Sequence, residues 1–171
     1  MFENFEINKY LTKPPPRNDS FTTMQEIKEL NRIPINKNFV IEKDDVANNF
    51  IKIVGNDKLI TDLINSSREP ILKIKHHFNR PRPREIAPKF GIKMDYKYMP
   101  SMDTPSYPSG HSAQAVLIAS VLSDKYPNKK EKLQKLAKDT SYSRNVAHEH
   151  YKSDSTFGWK IGMDMYEHVK N

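Results

Sequence analysis

Ser106-Tyr107-Pro108-Ser109-Gly110-His111, followed at once by the largely apolar run Ala113 to Leu122, sets the architecture of this chain. Pro108 and Gly110 stop a regular element from running through, so the hexapeptide reads as a tight turn that delivers the backbone into a helix. That helix is apolar around most of its circumference, the pattern of a helix at the centre of a bundle. Its first N–H groups have no intrahelical acceptor, and the positive end of the helix dipole lies behind them, so the turn is suited to an anion. Ser109 adds a hydroxyl donor and the Gly110 N–H a backbone one. His111 adds a group that titrates near neutral pH. A Ser-Gly turn can also be a plain helix cap, so the reading depends on cations elsewhere in the chain.

Both flanks supply them. Upstream, Lys73-Ile-Lys-His-His-Phe-Asn-Arg80-Pro81 places Lys73 and Arg80 seven residues apart, which on a helix is two turns and one face. Downstream, Ser143-Arg144-Asn-Val-Ala-His-Glu-His150-Tyr-Lys-Ser-Asp154 offers an arginine, a histidine and a carboxylate four residues beyond it. In order and spacing the three segments match K-x6-R-P, P-S-G-H and S-R-x5-H-x3-D. The chain thereby resembles the type 2 phosphatidic acid phosphatase superfamily, which includes soluble bacterial acid phosphatases, membrane lipid phosphatases and vanadium-dependent haloperoxidases. The resemblance spans Lys73 to Asp154.

The resemblance implies an all-α single-domain bundle of six or seven helices and a phosphate monoester hydrolase. It assigns His150 as the nucleophile that forms a phosphohistidine, Asp154 as the group orienting its ring, and His111 as the acid that protonates the leaving group and then activates water. Lys73, Arg80, Ser109, Gly110 and Arg144 would hold the phosphate. Phosphoryl transfer needs charge neutralised on three equatorial oxygens, and three fixed cations supply that with no metal. Neither cofactor nor metal is expected; vanadate would act as an inhibitor, or as the cofactor of a haloperoxidase. His76, His77 and His148 lack the i, i+4 pairing with a carboxylate that a metal site on a helix would show.

Composition narrows the partners. The chain has 171 residues, no cysteine and a formal net charge of +7, so it forms one domain without disulfide or thiolate chemistry and favours anionic ligands. A phosphorylated small molecule is the expected partner, and nucleic acid is not; the sequence does not define an oligomeric state. No apolar run reaches the ~20 residues that cross a bilayer, and the N-terminus has no apolar signal core, so a cytoplasmic protein is expected. Two other readings fit the residues: a vanadate-dependent haloperoxidase, and a non-catalytic basic module that binds anions or nucleic acid, with the Arg80 to Lys97 segment as its surface.

Along the chain, residues 1–20, with Pro14-Pro15-Pro16, read as an extended arm ahead of a phosphatase domain over 21–171. Thr22 or Thr23 caps a short helix ending near Asn31. Ile33 to Ile41, broken by Pro34, reads as a loop. Asp44 or Asp45 opens a helix that Gly55 ends, and another starts near Asp57. Pro70 is expected to begin a separate helix from about Glu69 to Asn79. Residues 81–107, with five prolines, form a long loop forming a wall or lid for the substrate. Helices follow from Ser109 to about Lys125, after Asn128, and from Ser153 or Asp154 onward.

Overall fold

The computed structural model describes all 171 residues, and every regular element in it is helical. Nine α-helical segments run in order: α1 Asn8–Leu11, α2 Phe21–Asn31, α3 Lys37–Asp44, α4 Val46–Val54, α5 Lys58–Phe78, α6 Pro83–Ile86, α7 Gly110–Lys125, α8 Lys130–Val146 and α9 Lys152–Lys170. Seven of them are eight residues or longer, and three 3₁₀ turns lie between α6 and α8.

The central helix is α7. Ser109 caps it, its hydroxyl accepting from the Ser112 N–H at 3.2 Å. Val116, Leu117, Ile118 and Leu122 are fully buried on faces turned to different neighbours. Helices α8 and α9 pack along it on two sides, with α5 and α4 across the remainder. Each such aliphatic side chain contributes roughly 1.5–3 kcal/mol on leaving water, so the bundle is organised around α7. Helix α9 comes close enough to touch backbone. A Cβ at Gly158 would collide with the Ser109 carbonyl, and one at Gly162 with that of Ala113. The Ser109 N–H donates to the Asp154 carbonyl at 3.0 Å. The start of α7 is thus fastened to the start of α9, which brings the P-S-G-H turn beside the His150 to Asp154 segment.

Local signals explain most boundaries. Asp45 and Asp57 accept from backbone N–H groups at the starts of α4 and α5, and Gly55, at φ 87°, ends α4 in a conformation that suits glycine. Asn79 closes α5 at φ 49°. Three expectations are corrected. Helix α2 starts one residue after Ser20, whose hydroxyl caps it in place of Thr22 or Thr23. Residues 37–44 form α3, where a loop was expected. Asn36 caps that helix, and Val40 packs with Val146 and Ala147 at the end of α8. Pro70 lies inside one continuous α5. It forfeits one backbone bond, but it is buried on the same stripe as Ile60, Leu63, Ile71 and Ile74, and that burial outweighs the local preference to break.

Residues 1–20 include the single turn α1, and Phe2, Phe5 and Tyr10 enter the main core, so this stretch is not a plain extended arm. Tyr10 donates to Asp164 on α9 at 2.6 Å, and Tyr107 to the Lys13 carbonyl at 2.9 Å. Between α5 and α7, residues 79–109 carry α6 and two of the 3₁₀ turns, and the Tyr107-Pro108 peptide is cis.

Candidate active site

A cavity of about 270 Å³ opens between α5 and the start of α7. Lys75, Arg82, Gly110, His111 and His150 line it. Each group is placed by a different element. Lys75 lies on the inward stripe of α5, one turn beyond Ile71, and is 5% exposed. Its ammonium donates to the Pro105 carbonyl at 2.6 Å. Arg82 precedes α6 and is 1% exposed. Its guanidinium is clamped by the carbonyls of Ser101, Thr104 and Glu149 at 2.8, 2.9 and 3.1 Å.

Two contacts fix the tautomer of His150. The Asp154 carboxylate accepts from Nδ1 at 3.2 Å, and Arg82 donates to Nε2 at 2.9 Å. Nδ1 therefore carries the proton, and Nε2 presents its lone pair to the cation-lined cavity. Burial, then the charges of Arg82 and Lys75, hold His150 well below the usual histidine range, so its contact with Asp154 is a hydrogen bond from a neutral ring. Asp154 uses its other oxygen for Arg80, at 2.7 Å. On His111, Nε2 faces the Asp44 carbonyl at 3.0 Å and one Asp44 carboxylate oxygen at 3.3 Å, which makes Nε2 the donor. Nδ1 of His111 is left without a protein partner. The hydrogen bond from His111, together with the charges of His111 and Arg144, keeps Asp44 below the usual carboxylate range against the opposing effect of burial.

The residues singled out from sequence divide into three groups. Gly110, His111 and His150 line the cavity, with Asp154 directly behind His150. Ser109 and Arg144 form a layer behind it. The Ser109 hydroxyl caps α7, and Arg144 is completely buried, with its N–H groups on Asp44 at 3.0 Å, Glu149 at 3.2 Å, the Val40 carbonyl at 3.2 Å and Ser143 at 3.0 Å. Lys73 and Arg80 stand elsewhere and are corrected. Lys73 is turned outward, its side chain 60% exposed and paired with Glu69 at 2.7 Å. Arg80 lies behind Asp154, away from the cavity. The pair that occupies the expected places is Lys75 and Arg82, which have the same seven-residue separation and are followed by Pro83.

Glu149, Asp44, Lys75 and Arg82 were missed from sequence. For Lys75 and Arg82 the signal was present, because Lys75 to Pro83 satisfies K-x6-R-P as well as Lys73 to Pro81 does. Glu149 contacts Arg82 at 3.5 Å and Arg144 at 3.2 Å, tying two arginines to the residue before His150. His148, at φ 56°, is held by the carbonyls of Asp95 and Ile33 at 2.7 and 2.8 Å, so it is a clamp between loops.

Chemically, this is a cation-lined cavity beside a neutral, oriented imidazole. The lining holds cations, a backbone turn and histidines and contains no carboxylate, a donor set suited to an anion. Burial, then the Arg82 charge, pushes Lys75 down to about 7 from its ordinary 10.5. Its folded state therefore binds protons less readily than its unfolded state, so stability falls as pH drops from 10.5 towards 7. A bound anion acts in the opposite direction and favours the ammonium. Inorganic phosphate binding at about pH 8 is accordingly expected to take up a proton, by up to about one per site. Calorimetry in buffers of different ionisation enthalpy measures this, and proton release, or uptake that persists in Lys75→Met, would contradict it.

Comparison with known proteins agrees with the fold. The crystal structure of the first transmembrane PAP2 type phosphatidylglycerolphosphate phosphatase from Bacillus subtilis is similar to this chain, with a TM-score of 0.51 at 17% sequence identity, covering 96% of this chain and 81% of that one. The likeness defines the class as an all-helical PAP2-type fold. The family model of the PAP2 superfamily matches residues 58–165, well over half of the chain, and the chain belongs to that superfamily. Membership implies phosphatase-type activity. No curated protein matches the sequence. Although that neighbour is a transmembrane enzyme, no helix here is long and apolar enough to cross a membrane.

Proposed function

We propose that the chain hydrolyses phosphate monoesters through a phosphohistidine on His150, as a water-soluble, acid-phosphatase-like enzyme that uses no metal. The observation that carries this reading is the neutral His150 ring, held by Asp154 with Nε2 facing the cations Lys75 and Arg82. The phosphoryl oxygens would replace the Arg82 contact to Nε2, so Arg82 and Lys75 neutralise charge while the freed lone pair attacks phosphorus. The bond to the ester oxygen breaks as the N–P bond forms. The proton for that oxygen comes from Nδ1 of protonated His111, whose Nε2 is already engaged by Asp44. In the second half His111 takes a proton from water, water oxygen bonds to phosphorus, the N–P bond breaks, and phosphate leaves with His150 neutral again.

Metal independence is supported by the carboxylates around the site, each of which is already engaged by an arginine: Asp154 by Arg80, Glu149 by Arg82 and Arg144, and Asp44 by Arg144. Solubility is supported by composition, with 29% of residues charged. For the leaving group, Ile64, Ile71 and Leu72 offer apolar lining, and Ser101 and Thr104 of the 81–107 segment add hydroxyls. Small phosphate esters such as sugar phosphates or nucleotides fit a site of this size. Phosphate release from an aryl phosphate with chelator present tests the reading. Turnover that resists chelator and is inhibited by orthovanadate is expected, and turnover lost on chelation and restored by a divalent ion would overturn it.

A further inference from the structure

The sequence pattern offers Arg80 as a phosphate ligand, and the structure gives it a different task. Arg80 is 2% exposed and does not line the cavity. One terminal nitrogen donates to Asp154 Oδ1 at 2.7 Å and to Ser153 Oγ at 2.8 Å, and the other reaches Glu26 at 3.4 Å. The guanidinium carbon lies 3.7 Å from the centroid of the Tyr151 ring, and the ε N–H finds no acceptor. Glu26 is itself fixed, taking the Ser153 N–H at 2.7 Å and the Ser153 hydroxyl at 2.8 Å. It comes from α2, outside the residues matched by the family model.

We propose that Arg80, braced by Glu26, is a positioning residue that aims the Asp154 carboxylate at His150. The inference rests on the reading of His150 as nucleophile. Asp154 divides its oxygens: Oδ1 takes Arg80, while Oδ2 takes His150 Nδ1 at 3.2 Å and the Tyr151 N–H at 2.9 Å. Without a partner on Oδ1, the carboxylate can turn about its own axis, and the His150 contact is the longer of the two on Oδ2 and the easier to lose. Asp154 is also fully buried, and a buried carboxylate needs a close cation. Arg80 meets both needs from the far side, without drawing on Lys75 or Arg82 at the cavity. Glu26 sets the plane of the guanidinium by taking its second nitrogen, a role for which a lysine lacks the fork.

The test compares Arg80→Met, Arg80→Lys and Glu26→Gln with wild type, using an aryl phosphate for kinetics and inorganic phosphate for binding. Arg80→Met is expected to lower kcat by about 10²-fold while KM and the phosphate affinity stay within about threefold. Arg80→Lys recovers less than about tenfold of that loss, and Glu26→Gln lowers kcat by about fivefold with KM unchanged. A preserved kcat with KM and phosphate dissociation raised by about 30-fold or more would overturn the proposal by placing Arg80 on the substrate. Unchanged kcat in both Arg80→Lys and Glu26→Gln would overturn it too, and these two variants decide the matter where Arg80→Met does not fold. A wild type that binds phosphate without turnover overturns the nucleophile reading alone. Phosphate affinity retained in Arg80→Met and lost in Arg82→Met then still supports the placement of Arg80, and equal losses overturn it.

Discussion

His150→Ala lowers phosphate release from an aryl phosphate by at least about 10⁴-fold, because the nucleophile, its orienting carboxylate and the acid act as one unit and the loss of one removes nearly all of their combined effect. The expectation follows from the geometry of the ring. Asp154 holds the Nδ1 proton, Arg82 faces the Nε2 lone pair, and burial keeps the imidazole neutral, so the ring presents an oriented lone pair to the cavity. The variant leaves Lys75, Arg82 and the Gly110 turn in place, so inorganic phosphate still binds. Activity within tenfold of wild type, measured with both proteins shown to be folded, would remove His150 from the reaction.

Arg82→Ala gives the second largest effect, a loss of about 10³-fold in kcat/KM, the scale at which removal of a preorganised charge donor is felt. Lys75→Met follows at about 10²-fold. Lys73→Ala changes the rate by less than about twofold, since it removes only an exposed pair with Glu69. The contrast between lysines two residues apart tests which of the two frames of the same motif is functional. Arg82 also contacts Glu149 and three loop carbonyls, so part of the Arg82→Ala effect is structural. Arg82→Lys separates the two contributions: it keeps the charge, loses the fork, and is expected to retain ten to a hundred times more activity than the alanine variant by about the same reasoning. A Lys73→Ala defect larger than that of Lys75→Met would reverse the assignment of frame.

The fold was legible where local chemistry and burial agree. The turn from Ser106 to His111 announced α7, and Gly55 and Asp57 marked a boundary between helices. It was less legible where packing overrides propensity, as at Pro70 inside α5 and at α3, which is held by Val40 against the end of α8. In the site, the family resemblance pointed to His150, Asp154 and the P-S-G-H turn, and the structure brings these three together. The lysine and arginine were not legible in this way, because Lys73-Ile-Lys75 and Arg80-Pro-Arg82-Pro83 duplicate the motif at an offset of two. An offset of two turns a helical side chain by roughly 200°, to the opposite face, so burial of Ile71 and Ile74 beside Lys75 was the available discriminator. Glu26 and Asp44 had no local signal. They reach Arg80, Arg144 and His111 only through the packing of α2 and α3.

The central claim is a covalent bond between phosphorus and His150, and the most direct test is to trap it. Wild-type protein is mixed with an aryl phosphate, quenched in alkali, where phosphohistidine survives, and digested for mass spectrometry. The account predicts a phosphoryl group on the peptide carrying His150, located on that residue, and its loss in His150→Ala. A phosphoryl group found on Ser109, His111 or any other side chain would contradict it.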